Sequence, residues 1–233
     1  MTAKSFDIVG FDLDGTLLDT SGDLATAVNH ALGTIGRAPL VKTRIRGMIG
    51  LGGRHMMAQA LAATGGCDDP TLEATLPAMF DFYAAHLTIH SVPYPGCVAA
   101  LDALAACGTT LAVVTNKREA FARPLLAATG LIDRFACIIG GDTLGPGITK
   151  PSPDPIRAMI GRCGGGRAAF VGDTIHDIAA ARAAGIPGIA VTFGFRDRPV
   201  AALGADATID RYDQLIATLA RLCATSSTGG APA

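Results

Sequence analysis

The stretch VGFDLDGTLLDT, residues 9–20, closes an apolar run with two aspartates one residue apart, Asp12 and Asp14, and then turns at once through Gly15 and Thr16. Two carboxylates this close repel each other, and burial would force protons onto them unless positive charge joins them. Other apolar runs end in the same way. Thr115 and Asn116 follow the second, Asp142 and then Lys150 lie in the loop after the third, and Asp173 and Asp177 follow the fourth. Asp173 and Asp177 are four residues apart and share a face if a helix starts between them. Asp12, Asp14, Asp173 and Asp177 would crowd up to four carboxylates into one pocket, a charge that a bound divalent cation relieves. An all-oxygen, carboxylate-rich site suits Mg²⁺, which takes a substrate phosphate oxygen as a further ligand. Lys150, the Thr115 hydroxyl and the backbone N–H groups of the Gly15 turn are then available to the remaining phosphate oxygens. These are the parts phosphoryl transfer requires, since it depends chiefly on positioning and charge neutralisation. One of the paired aspartates can attack phosphorus, and the other can give a proton to the leaving oxygen and later take one from water. Their spacing alone does not say which does which.

Such residues act together only if the chain brings them to one edge. FDIVGF (6–11), TTLAVVT (109–115), ACIIGG (136–141), AAFVGD (168–173) and GIAVTF (188–193) read as strands buried on both faces, with DATI (206–209) a weaker sixth. Helical spacing links Val98, Leu101 and Leu104, then Ile178, Ala181 and Ala184, then Leu215, Ile216 and Leu219, with Gly108 and Gly185 placed as helix-ending glycines. Strands alternating with helices predict an α/β fold, a doubly wound parallel sheet with a Rossmann-like core. Ligands of such sheets bind beyond the carboxyl ends of the strands. The stretch 20–91 breaks the rhythm with three amphipathic helical patterns, marked by Leu24, Val28, Leu32 and Ile35, by Met56, Met57, Ala60 and Leu61, and by Leu72, Leu76, Met79, Phe80 and Tyr83. The expected organisation is a core of residues 1–19 and 92–223, an inserted all-helical domain at 20–91, and a disordered polar tail at 224–233.

With a net charge of -1, the chain carries no electrostatic footprint for nucleic acid or an anionic membrane. No apolar stretch is long enough to span a bilayer, and the N-terminus lacks the pattern of a signal peptide. The expectation is a soluble cytoplasmic protein, a monomer or homodimer, whose partner is a small phosphorylated metabolite. The 6 cysteines include no C-x-x-C pair and read as reduced core residues.

Taken as a set, DLDGT (12–16), VVTNK (113–117), KPSP (150–153) and GDTIHD (172–177) make the chain resemble the haloacid dehalogenase-like superfamily of phosphotransferases. The resemblance covers nearly the whole chain except the tail. It implies Asp12 as nucleophile and Asp14 as general acid/base. It implies Mg²⁺ held by Asp12, the backbone carbonyl of Asp14 and Asp173, with Asp177 in support, and phosphate held by Thr115, Asn116 and Lys150. Gly15 and Thr16 belong to the same substrate-binding turn. The helical insertion is similar to the cap that closes over small substrates in this group. VPYPG, LAVVTNK and IIGGDTLGPGITKPSPDP are most similar to phosphoglycolate phosphatases, although TFGFR (192–196) places Phe193 and Phe195 where that pattern often carries tyrosines. The implied reaction is hydrolysis of a small phosphomonoester through an aspartyl phosphate. A phosphohexomutase or a phosphatase for another small sugar phosphate would use the same residues. The cap must supply the contacts to the rest of the substrate, and RIRGMIGLGGRH (44–55) offers Arg46 and Arg54 for a carboxylate.

Overall fold

Strands rich in valine and isoleucine with both faces apolar need cover on both sides, and the chain provides it. A computed structural model describes residues 5–195 and 198–228. In chain order the elements are β1 (Ile8–Phe11), β2 (Leu18–Asp19), α1 (Ser21–Thr34), α2 (Lys42–Arg46), α3 (Gly53–Ala62), α4 (Asp69–Ala85), β3 (Val92–Pro93), α5 (Cys97–Ala106), β4 (Thr110–Val114), α6 (Glu119–Ala128), β5 (Cys137–Ile139), α7 (Asp154–Arg162), β6 (Ala168–Gly172), α8 (Ile175–Ala184), β7 (Gly188–Val191), β8 (Ala207–Ile209) and α9 (Leu215–Thr228). All six expected strands form one parallel sheet in the order β5-β4-β1-β6-β7-β8. One apolar cluster, built around Phe11, Leu101, Val113 and Leu215, fills one face, and a second, around Ile8, Ile156, Met159 and Phe170, fills the other.

Topology and register place the site. The chain builds outward from β1 to β4 and β5, then crosses back to add β6, β7 and β8 on the other side. The reversal opens a crevice at the carboxyl end of β1. Phe11 lies level with Val113 of β4 and Val171 of β6. Asp12, Thr115 and Asp173 therefore leave the sheet at the same edge, within a residue of one another.

Between β2 and β3 lie four helices whose inward side chains, among them Val28, Leu32, Met57, Leu61, Leu76 and Met79, form an apolar cluster of their own. In α4 the Asp68 carboxylate caps the first turn by accepting from Thr71 N at 2.8 Å. The chain enters and leaves this unit through a two-residue antiparallel ribbon, Leu18 opposite Pro93 and Asp19 opposite Val92. Buried Asp23 clamps the crossing, since its carboxylate accepts from His90 N and from both the N–H and hydroxyl of Ser91. Phe121 of α6 reaches across from the sheet side, stacking on Phe80 at 5.6 Å and meeting Tyr83 edge-on at 5.5 Å.

One expectation needs correction. The tail expected from residue 224 is helical to Thr228, because Ala224-Thr225-Ser226-Ser227 carries no helix-stopping residue before Gly229; residues 229–233 lie outside the described residues. The 6 cysteines are free thiols, and among the described residues no helix is long and apolar enough to cross a membrane.

Candidate active site

Asp12 stands where β1 ends, almost wholly buried. Its Oδ1 accepts from Lys150 Nζ at 2.7 Å, and the same ammonium donates to Asp177 Oδ1 at 2.6 Å and to the carbonyl of Val114 at 2.7 Å. Lys150 thus has three acceptors for its three donors, the arrangement that lets a buried ammonium stay charged. Burial alone would lower its pKa, but Asp12 and Asp177 outweigh burial and raise it. The second oxygen of Asp177 accepts from Thr174 N and Oγ1, at 2.9 and 2.7 Å, as part of a capping box at the start of α8. Both oxygens are therefore engaged in holding Lys150 and the helix end.

Asp173 completes the acidic group. Its Oδ1 accepts from the Thr16 hydroxyl at 3.1 Å and its Oδ2 from Phe195 N at 2.6 Å. One carboxylate oxygen from each of Asp12, Asp173 and Asp177 lies within 4.8 Å of the others. Burial, then the neighbouring carboxylates, push Asp173 well above the usual range. Asp12 rises from 3.8 to about 7, chiefly through burial, with Lys150 pulling the other way. Asp177 moves down despite its burial, because Lys150 and Thr174 both stabilise its ionised form. The cluster can therefore be fully ionised near neutrality only if more positive charge arrives.

The turn after β1 is shaped for this. Gly15 has φ +88°, and a side chain there would collide with Asp173 Oδ2. Its N–H donates to the carbonyl of Leu18 at 2.9 Å, so this donor, expected on phosphate, is engaged within the turn. Thr16 was also expected on the substrate. It is fully buried, and it anchors Asp173 and receives the Tyr212 hydroxyl on its carbonyl. Asn116 binds in both directions. Its Nδ2 donates to the carbonyls of Gly50 and Lys150 and its Oδ1 accepts from Lys150 N, tying the Lys150 loop to the helical unit. Asp142 accepts from Glu119 N at the start of α6, away from the acidic group.

A cleft with an empty volume of about 610 Å³ opens over Asp12, bounded on the sheet side by Asp14, Thr115, Asn116, Lys117 and Phe121 and on the helical side by Leu24, Met56, Met79, Phe80 and Tyr83. Arg46 and Arg54, expected to face it, do not line it. Arg46 donates to the carbonyls of Phe193 and Gly194 at 2.9 and 3.0 Å and lies over the Phe195 ring, latching the helical unit to the loop after β7. Arg54 pairs with Glu73 on the exposed side of the helices.

Sequence reasoning assigned no role to Lys117. Its ammonium donates to Asp14 at 2.8 and 3.0 Å, and the Thr20 hydroxyl donates to Asp14 Oδ1 at 2.6 Å. Burial alone would lower the Lys117 pKa, but Asp14 and Tyr83 together raise it. The available signal was a lysine two residues beyond Thr115, inside a segment otherwise read for its hydroxyl. Tyr83, part of the amphipathic pattern of α4, also faces the cleft.

The residues from 9 to 191 match the model of the haloacid dehalogenase-like hydrolases. A phosphoglycolate phosphatase of Agrobacterium fabrum is 40% identical over 215 residues, covering 90% of this chain and 90% of its own. One of Rhodospirillum rubrum is 40% identical over 212 residues, covering 88% of this chain and 87% of its own. The crystal structure of a predicted phosphoglycolate phosphatase from Haemophilus somnus superposes with a TM-score of 0.86 at 30% identity, covering 92% of this chain and 98% of the other. The matched span runs from the first strand to β7 and contains the whole acidic group with its lysine, and the chain belongs to the haloacid dehalogenase-like hydrolases.

Proposed function

We propose that this protein hydrolyses a small phosphomonoester, with phosphoglycolate the leading substrate, and that Asp12 is its nucleophile. The carrying observation is the buried triad in which one ammonium, Lys150, holds Asp12 and Asp177 beside Asp173, at the edge of the sheet under a cleft. The names of the relatives support the choice of ester.

The donor set fits a divalent cation. Three carboxylates, Asp12, Asp173 and Asp177, face one ammonium group, Lys150, leaving two negative charges uncompensated. Asp12, Asp173 and the main-chain carbonyl of Asp14 would hold such an ion, with Mg²⁺ the choice for oxygen ligands. When bound, it supplies positive charge to the phosphoryl oxygens.

The chain's own residues account for the remaining steps. Lys150 fixes Asp12 by Oδ1, which leaves Oδ2 to attack phosphorus. The new Asp12–phosphorus bond forms as the bond from phosphorus to the ester oxygen breaks, and Asp14 gives that oxygen a proton. A water then attacks phosphorus and passes its proton to Asp14, and phosphate leaves as the Asp12 carboxylate is restored. The Thr115 hydroxyl binds a phosphoryl oxygen. Asn116 serves by keeping the Lys150 loop in place. Helices α1–α4 act as the cap, closing the cleft against bulk water during the first step.

The test is hydrolysis of phosphoglycolate with Mg²⁺ present and then chelated. Release of inorganic phosphate that stops on chelation is the expected result. Appearance of a phosphorylated isomer in place of phosphate, from a sugar phosphate offered alongside, would replace the hydrolase reading with a mutase.

A further inference from the structure

Among the side chains lining the cleft, two are placed unlike the rest. Lys117 is a buried cation, 8% exposed, whose partner is Asp14, a group the reaction needs elsewhere. Tyr83, 3% exposed, comes from the opposite wall, and its hydroxyl is buried without a hydrogen-bond partner. The Lys117 ammonium lies over the Tyr83 ring, 4.8 Å from its centroid. A buried hydroxyl with no partner costs stability unless something binds there. The helical side of the cleft is otherwise apolar, with Leu24, Met56, Met79 and Phe80, and the cation that acts on the Tyr83 hydroxyl is the Lys117 ammonium across the cleft.

We infer that Lys117 and Tyr83 form the specificity site for the substrate's tail, and that they bind a carboxylate. This rests on the phosphatase reading. An incoming carboxylate gives Lys117 the partner it now finds in Asp14, and it accepts the unsatisfied Tyr83 hydroxyl. One carboxylate replaces another, so the ammonium stays paired while Asp14 is released toward the ester oxygen. Recognition of the tail and readiness of the proton donor are thereby coupled. A neutral tail cannot make this exchange and leaves Asp14 tied to Lys117. Arg118, the other cation on the lining, is exposed at the rim and lies over the Phe80 ring at 4.2 Å, where water screens it. Arg46 and Arg54 are engaged elsewhere.

The experiment compares two esters of similar size, phosphoglycolate and 2-hydroxyethyl phosphate, with Mg²⁺ present. The wild-type protein is expected to favour phosphoglycolate in kcat/KM by roughly 100-fold or more, since a site with a buried cation and donor rejects a partner that lacks the charge. Lys117→Met should collapse that ratio toward one, Lys117→Arg should keep part of it, and Tyr83→Phe should raise KM for phosphoglycolate by a larger factor than it lowers kcat. A preference that survives Lys117→Met, or that is lost in Arg118→Ala instead, overturns the assignment and leaves the phosphatase reading standing. So does a wild-type preference for the neutral ester. If the wild-type protein hydrolyses neither ester, the inference falls together with that reading. Should Lys117→Met fail to fold, Tyr83→Phe carries the comparison, because it removes one oxygen and keeps the ring. A several-fold drop in preference in that variant supports the inference, and an unchanged preference overturns it.

Discussion

Lys150 has no solvent to fall back on, and each of its acceptors would be left buried without it. Removing one member of a buried ion pair costs about 3–5 kcal/mol. Lys150→Met is therefore expected to lower stability by that order in urea unfolding at pH 8, where the wild-type protein holds Asp12 and Asp177 ionised against the ammonium. Equal midpoints for variant and wild type would show that the two carboxylates do not depend on the ammonium. Asp12→Asn is different. It removes a charge from a crowded group, so the folded protein should persist by circular dichroism while phosphoglycolate turnover falls at least ~10³-fold, the order expected when a nucleophile is lost. Most of this was legible in DLDGT, KPSP and GDTIHD, because a buried carboxylate at the end of a strand has few bland explanations. Lys117 and Tyr83 were not legible. A lysine after a strand and a tyrosine on an amphipathic stripe look the same in sequence whether they face solvent, core or cleft, and only packing of α4 against α6 decides it.

The ribbon of β2 and β3 and the Asp23 clamp fix how the helical unit meets the sheet. Asp23 accepts hydrogen bonds from two backbone N–H groups and a hydroxyl across the two chain crossings. Losing a charged acceptor of this kind costs about 2–3 kcal/mol. Asp23→Ala should lower the melting temperature accordingly and raise KM through a less fixed cleft, and an unchanged melting temperature would remove the clamp from the account. The turn after β1 makes a sharper demand. Gly15→Ala forces a side chain at φ +88° against Asp173, so metal affinity should fall along with stability in a calorimetric titration with Mg²⁺. Among the elements, the six sheet strands were readable from their apolar runs and the long helices between β2 and β3 from their apolar periods. Helices α6 and α7 were not. Pro124 sits inside the first and Pro155 in the opening turn of the second, so the residues that usually mark loops lie within helices, where neighbouring packing at Leu125, Leu126, Ile156 and Met159 holds them. The two-residue strands β2 and β3 are too short to carry any period.

Across the whole molecule, four acidic side chains meet two basic ones at the one sheet edge where the strand order reverses, and this charge deficit has a measurable sign. Asp12, raised from 3.8 to about 7, and Asp173, raised well above its ordinary value, favour the folded protein in their protonated forms. The Asp12 contribution is complete below about pH 4 and is lost as pH climbs to 7, and that of Asp173 is lost in the same direction, as pH rises above its ordinary value. Asp177 runs the other way, but its loss falls below its ordinary value of 3.8, outside this window. The metal-free protein should thus lose stability between pH 5 and 8. Mg²⁺ should restore it most at pH 8, because the ion competes with those protons. Thermal unfolding at both pH values with and without Mg²⁺ checks this, and stabilisation greater at pH 5 would contradict it. The central claim is that Asp12 carries the phosphoryl group. Its most direct test is mass spectrometry of the protein quenched in acid moments after mixing with phosphoglycolate and Mg²⁺. The account predicts one phosphoryl group on the peptide that contains Asp12, absent in Asp12→Asn. Rapid phosphate release with that peptide never modified, or with the group found on another residue, would contradict it.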